Sequence, residues 1–309
     1  MSESVLTGPQ TRALPRARGG FVRRWVRNPW RRPTILATIT WAYLAWSLIP
    51  LVIAIAVSFN ASRSSSTVHL FSLQWWWTDP SDSLLHDPEL HSAVVQSLRL
   101  SLTTMVIAVP LGVAFALGID RWHGRLATGV NFVMLLSFVM PEIILGLSVF
   151  FVFSFLLKFV PLGSTAQILG LVTFQVSYPV IIVRARLLSI GKEYEEAAMD
   201  LGATPRQSIR AVLLPLLYPA IFASAAIVFA DTIDDFVTVR YLSGPVSSEP
   251  LSVKIYNFAR GQPSPAINAA ATFMLGSTIV VAAVAYLLYR AFTKGQRAGA
   301  GLGDLATQF

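Results

Sequence analysis

Four carboxylates lie within or beside long apolar runs of this chain: Glu142, Asp231, Asp234 and Asp235. An ionised side chain at the centre of a membrane helix costs about 2.5–3.5 kcal/mol on insertion scales, and such residues commonly mark ion or substrate paths. Asp231 stands three and four residues before the aspartate pair, which would place all three on part of one helical face. Because carboxylates in a water-accessible passage lower the barrier for a cation, we expect a path for a positively charged solute. The alternative is that the aspartates cap their helix or pair with Arg240 at the membrane rim.

The elements that would position these acids are membrane-spanning helices. The chain has 309 residues, of which 54% are hydrophobic and 13% charged, whereas soluble domains carry about a quarter charged residues. A helix needs about 20 apolar residues to cross a bilayer. Apolar runs suited to this length cover residues 34–60, 100–119, 126–157, 159–183, 211–230 (continuing to 242) and 261–289. We therefore predict an all-α polytopic membrane protein with six transmembrane helices, in which internal prolines such as Pro141 produce kinks.

The distribution of charge predicts the orientation. Eight arginines and one acid, Glu3, lie in residues 1–33, directly before the first apolar run. Such a basic tail is typical of a cytoplasmic terminus, so the charge favours the surface of a lipid bilayer over a nucleic acid as partner. Six spans then place both termini in the cytoplasm. We expect a basic N-terminal tail over residues 1–33, a permease domain over 34–292 and a cytoplasmic C-terminal tail over 293–309. Trp75, Trp76 and Trp77, in the first external loop, are expected to mark the membrane interface.

A polar insert, residues 191–215, separates the fourth apolar run from the fifth. Its charges follow a helical pattern up to Asp200, and Gly202 then predicts a turn. Thr204 can cap a second helix that has Pro205 at its first position. Ala197, Ala198 and Gly202 leave little side-chain bulk, so the insert could fit closely into a groove of another protein.

The polar insert resembles the EAA loop of type I ABC importer permeases: Glu-Ala-Ala, three residues, Gly, nine residues, then Ile-x-Leu-Pro. Here the pattern reads Glu196-Ala197-Ala198, Gly202 and Val212 to Pro215, with Val212 in place of isoleucine. The resemblance implies the type I ABC importer permease fold, in a bacterial inner (cytoplasmic) membrane. It also implies three protein partners: an ABC ATPase dimer, a second permease subunit that is a distinct homologue, and an extracytoplasmic substrate-binding protein. The residues that it assigns to ATPase coupling are Glu196, Ala197, Ala198, Asp200, Gly202 and Pro215.

The chain lacks the G-x-x-x-x-G-K-[ST] loop that binds nucleotide phosphates, because Gly191-Lys192 is followed by Glu193. We therefore expect a transport subunit that is not an enzyme and that binds no cofactor, with ATP and Mg used by the partner ATPase. Cysteine is absent and the histidines are irregularly spaced, so no metal site is predicted either.

A second resemblance concerns the cargo. The chain carries Asp234-Asp235, Ser243-Gly244-Pro245, Lys254-Ile255-Tyr256 and the stretch Pro265 to Ala269, together with Pro141-Glu142. In these features it is similar to spermidine/putrescine permeases of the PotC type, although Glu249 to Ser252 and the long basic N-terminus depart from that pattern. The resemblance implies a polyamine substrate. Its path would contain Glu142, Tyr178, Asp231, Asp234 and Asp235, since carboxylates and aromatic faces replace the hydration of a cation.

Other functions remain compatible with the residues alone. The cargo of an importer could be another small solute, such as ferric iron, thiamine or an aminophosphonate. A stand-alone cation channel or secondary transporter, or a membrane scaffold, would need no ATPase.

Overall fold

The structure is a computed structural model that describes residues 34–62, 71–121, 124–245, 248–260 and 265–306. Within these ranges the only backbone pairing of β type is an isolated bridge between Asn60 and Phe71. The helices are α1 (Thr34–Ser58), α2 (Pro88–Arg121), α3 (Arg125–Val139), α4 (Glu142–Phe151), α5 (Ser164–Gln175), α6 (Ser177–Ile190), α7 (Glu193–Asp200), α8 (Pro205–Ser208), α9 (Leu214–Asp234), α10 (Val237–Leu242), α11 (Leu251–Arg260) and α12 (Pro265–Ala306). Three π-helical turns, Gln74–Thr78, Val152–Leu156 and Ile209–Leu213, supplement them.

The chain divides into two units. The first is Met1–Ile53, of which the described part is an apolar stretch of α1 that contains Pro50. The second unit, Ala54–Phe309, holds all the remaining helices. The predicted tail over residues 1–33 lies outside the described residues. At the other end, α12 continues without a break to Ala306, so no helix end marks the expected boundary at residue 292.

Among the described residues, five helices are long and apolar enough to cross a membrane: Leu36–Ser58, Pro88–Arg121, Ser164–Ile190, Pro205–Asp234 and Pro265–Phe292. A bent pair, Thr128–Val139 with Glu142–Leu156, makes a sixth candidate span. The predicted number of six is therefore reached when this pair is counted as one span.

The third predicted span, residues 126–157, bends much more sharply than the kink expected at Pro141. The chain bends by 111° between α3 and α4. Met140 leaves the helix with an extended ψ of 140°, because Pro141 disfavours helical backbone in the residue before it. The bend places Glu142 in the first turn of α4.

The second span extends well beyond its apolar run. It begins at Pro88, twelve residues before the predicted start at Leu100. The added turns carry Gln96 and Ser97, which are buried. The Gln96 amide donates hydrogen bonds to Ser164 Oγ at 2.8 Å and Gln167 Oε1 at 2.9 Å. Polar residues thus belong to this helix because they bind partners inside the bundle, where water is excluded.

The centre of the second unit is formed by α2, α6 and α9. Ala108 and Val109 of α2 pack with Val228 of α9, and Ala116 packs with Val183 and Leu217. Helix α2 approaches α6 closely at Gly112, where an added Cβ would lie 2.6 Å from the Pro179 Cβ and 3.0 Å from the Val176 carbonyl oxygen. Small residues permit this approach between membrane helices.

The tryptophans of the first external loop do not all mark an interface. Trp75, in the π-helical turn, is 1% exposed and donates from Nε1 to the Asn60 carbonyl at 2.6 Å. It packs in the core with Leu90 and Phe229. The expectation was therefore wrong for Trp75, whereas Trp77 is 55% exposed.

Gly112→Ala is expected to lower the unfolding temperature of the purified protein, because the new methyl group would clash with Pro179; overpacking typically costs about 1–3 kcal/mol. The matched control is Gly118→Ala in the same helix, where an added Cβ meets no atom within 4 Å. Equal thermal stability of the two variants in detergent would contradict the close contact between α2 and α6.

Candidate functional site

The polar insert folds as its sequence predicts, as helix α7, a turn and helix α8. Thr204 caps α8 through a capping box: its backbone N–H donates to Gln207 Oε1 at 2.8 Å, and the Gln207 N–H donates to Thr204 Oγ1 at 3.4 Å. Pro205 occupies the first turn. The predicted cap and turn are therefore confirmed.

Gly202 stands at the turn between α7 and α8 with a φ of +89°. This left-handed conformation is open to glycine and costly for most other residues. Its N–H donates to the Met199 carbonyl at 2.9 Å, and the next N–H, of Ala203, donates to Ala198 at 3.0 Å. An added Cβ would meet nothing within 4 Å, so the backbone conformation, and not crowding by this chain, requires glycine here.

One face of the polar insert is open and mixed in character. Glu196, Ala197, Asp200 and Gly202 are exposed, whereas Ala198 and Pro215 are half-buried. Beside them, large apolar side chains also lie exposed: Tyr194 at 55%, Met199 at 39% and Leu201 at 90%. An exposed cluster of apolar and acidic side chains is typical of a protein interaction surface.

The opposite face of α7 is fixed to the end of α2. The Glu195 side chain, only 12% exposed, forms an ion pair with Arg121, the last residue of α2. The Ser208 hydroxyl donates to the Glu195 carbonyl at 3.3 Å. The sequence analysis did not predict this connection, because Arg121 and Glu195 are 74 residues apart in the chain.

Within the bundle, Asp231 of α9 binds two donors. Gln175 Nε2 donates to its Oδ2 at 2.7 Å, and the Tyr178 hydroxyl donates to its Oδ1 at 3.3 Å. The edge of the Tyr178 ring also packs on Phe138, with ring centroids 5.5 Å apart. The structure thus brings together two predicted path residues, Asp231 and Tyr178. Gln175, fully buried, was missed, although an amide within an apolar run is a detectable signal.

The three aspartates do not share one helical face, contrary to prediction. Helix α9 ends at Asp234, and Asp235 takes an extended ψ of 122°. Asp235 is 8% exposed, and its Oδ1 accepts a hydrogen bond from the Val239 N–H in the first turn of α10 at 3.2 Å. A buried backbone donor needs such an acceptor. Asp235 therefore caps α10, whereas Asp234 is exposed.

Glu142 lies across from this break, in the first turn of α4. Helix α4 packs directly on α10, because an added Cβ at Gly146 would lie 3.4 Å from the Thr238 Cα. Glu142 itself is exposed. We define the acid cluster as Glu142, Tyr178, Asp231 and Asp235, which belong to the helices that meet near the break between α9 and α10. Arg240 does not neutralise it, since it pairs with Glu249 at 3.7 Å.

These geometries can be compared with known proteins. The model of a family described as "Binding-protein-dependent transport system inner membrane component" matches residues 108–298, well over half of the chain. The chain belongs to this family.

Two relatives of this transport family are similar over most of their length. One is the putrescine transport system permease protein PotI of Escherichia coli (strain K12), 32% identical over 272 residues, which cover 86% of this chain and 93% of the relative. The other is the spermidine/putrescine transport system permease protein PotC of the same strain. It is 31% identical over 257 residues, covering 82% of this chain and 93% of PotC.

Solved structures show the fold of the family. A chain of a bacterial ABC transporter involved in the import of the acidic polysaccharide alginate superposes with a TM-score of 0.66 at 19% identity, covering 88% of this chain and 99% of that one. The predicted type I ABC importer permease fold is thereby confirmed. The protein is a multi-pass membrane permease of an ABC importer, and its role is transport rather than catalysis.

Asp235→Ala should destabilise the purified permease by about 1–3 kcal/mol, because the buried Val239 N–H loses its acceptor. Asp235→Asn keeps an oxygen acceptor and should stay close to the wild type. Asp234→Ala, at the exposed neighbouring residue, is the matched control. Thermal unfolding in detergent measures all three, and equal unfolding temperatures for the two alanine variants would show that Asp235 does not cap α10.

Proposed function

We propose that the chain is one of two permease subunits of an ATP-driven polyamine importer in the bacterial cytoplasmic membrane. A separate ABC ATPase dimer docks on the polar insert, and a second, distinct permease completes the path. An extracytoplasmic binding protein delivers spermidine or putrescine. The observation that carries the proposal is the open face of the polar insert, formed around Gly202 on a chain whose relatives at 31–32% identity are polyamine permeases.

The docking step depends on the exposed apolar side chains of the insert. Leu201, 90% exposed, and Tyr194 would gain most from burial, since large apolar residues supply much of the binding energy of an interface. Glu196 and Asp200 would accept hydrogen bonds at the edge of this interface. Ala197, Ala198 and Gly202 have little or no side chain, so the ATPase could approach the backbone of the insert closely. Pro215 then joins the docked segment to α9. ATP and Mg would be bound by the ATPase, and this chain would hold no cofactor.

The transport step depends on the carboxylates. Asp231 is held by two neutral donors, Gln175 and Tyr178, which fix its position without cancelling its charge. An ammonium group would interact favourably with this carboxylate and with the neighbouring aromatic ring. Exposed Asp234 and Glu142 would receive the cation, while Asp235 holds α10 in position beside it. Together with Tyr178 and Asp231 they form the proposed substrate path.

Gly202→Glu tests the docking step. The added side chain and the strained turn should exclude the ATPase, and stimulated ATP hydrolysis by the complex should fall about tenfold or more, since central interface residues commonly contribute ~2 kcal/mol. Gly202→Asn controls for backbone strain, because asparagine tolerates positive φ, and it should lose less. Copurification of the ATPase with each variant is the second measurement. Undiminished stimulation in Gly202→Glu would refute docking at this turn.

Asp231→Asn and Asp234→Asn test the cargo. Each should lower putrescine uptake into proteoliposomes by about fivefold, because a charge-assisted hydrogen bond contributes roughly 1 kcal/mol more than a neutral one. Glu193→Gln, an acid of the polar insert outside the proposed docking residues, serves as a control for general charge effects. Normal putrescine uptake by both aspartate variants, or transport of ferric iron, thiamine or an aminophosphonate by the wild type instead, would remove the polyamine assignment.

A further inference from the structure

Helix α2 is held by an ion pair at each end. At its first turn, Glu89 accepts from the Lys254 Nζ at 2.9 Å. At its last residue, Arg121 pairs with Glu195 of the polar insert. The two pairs are separated by 32 residues of one continuous helix, or about 48 Å at 1.5 Å per residue. Helix α9 also leaves the polar insert and ends at the aspartate pair, but α2 is joined by an ion pair to another helix at each of its two ends.

At its Glu89 end, α2 is joined to α11 by more than the Glu89–Lys254 ion pair. Lys254 of α11 is buried, with 7% of its side chain exposed, and it also approaches Glu249 at 3.7 Å. A second bond joins the same two helices, since the Leu251 N–H donates to Ser97 Oγ at 2.9 Å. These contacts join α11 to the N-terminal turns of α2.

The middle of α2 is clamped as well. Gly112 lies against Pro179 and Val176 so closely that no side chain would fit between them. Pro110 removes one backbone hydrogen bond two residues earlier, but the clamp on α6 limits the freedom of that turn. A helix held against its neighbour at one point near its middle can pivot there, and a movement of one end is then accompanied by a movement of the other.

We propose that α2 couples the outer face of the permease to the polar insert, with Lys254 and Arg121 as the positioning residues at its two ends. The proposal rests on the proposed function, in which a binding protein docks at the outer face and an ATPase at the insert. Docking that shifts α11 would move α2, and the Arg121–Glu195 pair would change the orientation of α7. Coupling is reciprocal, so ATPase closure would shift α11 in return.

The Arg121–Glu195 ion pair is not expected to contribute much to folding stability. The Arg121 side chain is 38% exposed, and ion pairs at such positions add little to folding. Loss of this ion pair should therefore change how strongly the binding protein stimulates ATP hydrolysis and should leave the unfolding temperature unchanged.

The test uses the complete complex of both permeases, the ATPase and the binding protein loaded with putrescine, in lipid nanodiscs. The measured quantity is ATP hydrolysis with the binding protein divided by hydrolysis without it. Arg121→Gln and Lys254→Met should each lower this ratio about fivefold or more, the lower end of typical coupling between sites. The double variant should be no worse than the more severe single variant, because either change breaks the same connection.

Three further variants sharpen the result. Glu89→Gln, at a side chain that is 62% exposed, replaces Lys254→Met if that variant fails to fold. The swap Arg121→Glu with Glu195→Arg should recover much of the ratio. Arg260→Gln is the matched control, because it removes an exposed cation at the end of α11 that stacks on Tyr256 of the same helix, and its ratio should equal that of the wild type.

The proposal is overturned if the fold-losses of the single variants multiply in the double variant, as independent distant sites do. It is also overturned if the single variants keep the full ratio. A wild-type complex that shows no stimulation at all would instead refute the proposed function, so the two failures are distinguishable.

Discussion

One fully buried amide, that of Gln167, joins most of the elements on which the acid cluster depends. It accepts from Gln96 of α2 and donates to the Val239 carbonyl, to Ser243 Oγ and to the Ser248 carbonyl. Polar groups inside a membrane bundle have no water to bind, so such bonds fix how the helices fit together. Through them α5 holds the middle of α10 at Val239 and the chain that follows its last residue at Ser243 and Ser248, and the position of α10 in turn determines where Asp235 and the packing surface for α4 lie.

The sequence predicted those features that depend on local rules. Span positions follow from apolar length, and the turn at Gly202 and the cap at Thr204 follow from backbone preferences of single residues. The bend at Pro141 was expected only as a kink, because proline permits a break but the packing of α4 on α10 determines its size. The break after Asp234 was missed for the same reason: the apolar run continues through it, and only the tertiary position of Asp235 shows that the helix has ended.

Polar side chains within or near apolar runs were the main information that sequence reasoning did not use. Gln167 and Gln175 are uncharged and so did not interrupt the predicted fourth span, and Gln96 precedes the predicted start of the second, yet their bonds determine how α2, α5, α9 and α10 meet. Trp75 was misjudged because its composition suits an interface, whereas its indole N–H finds a buried carbonyl. Residue type alone does not distinguish a side chain that faces lipid from one that satisfies a partner within the bundle.

The capping box at Thr204 has a consequence for recognition. Because the turn and α8 are closed by hydrogen bonds within the polar insert itself, the segment has its final shape before any partner arrives. Little conformational entropy is then lost on association, and the free energy of contact is not consumed in ordering a loop. A surface preorganised in this way can bind tightly through a small area, and it can follow a moving partner as a rigid body through every cycle.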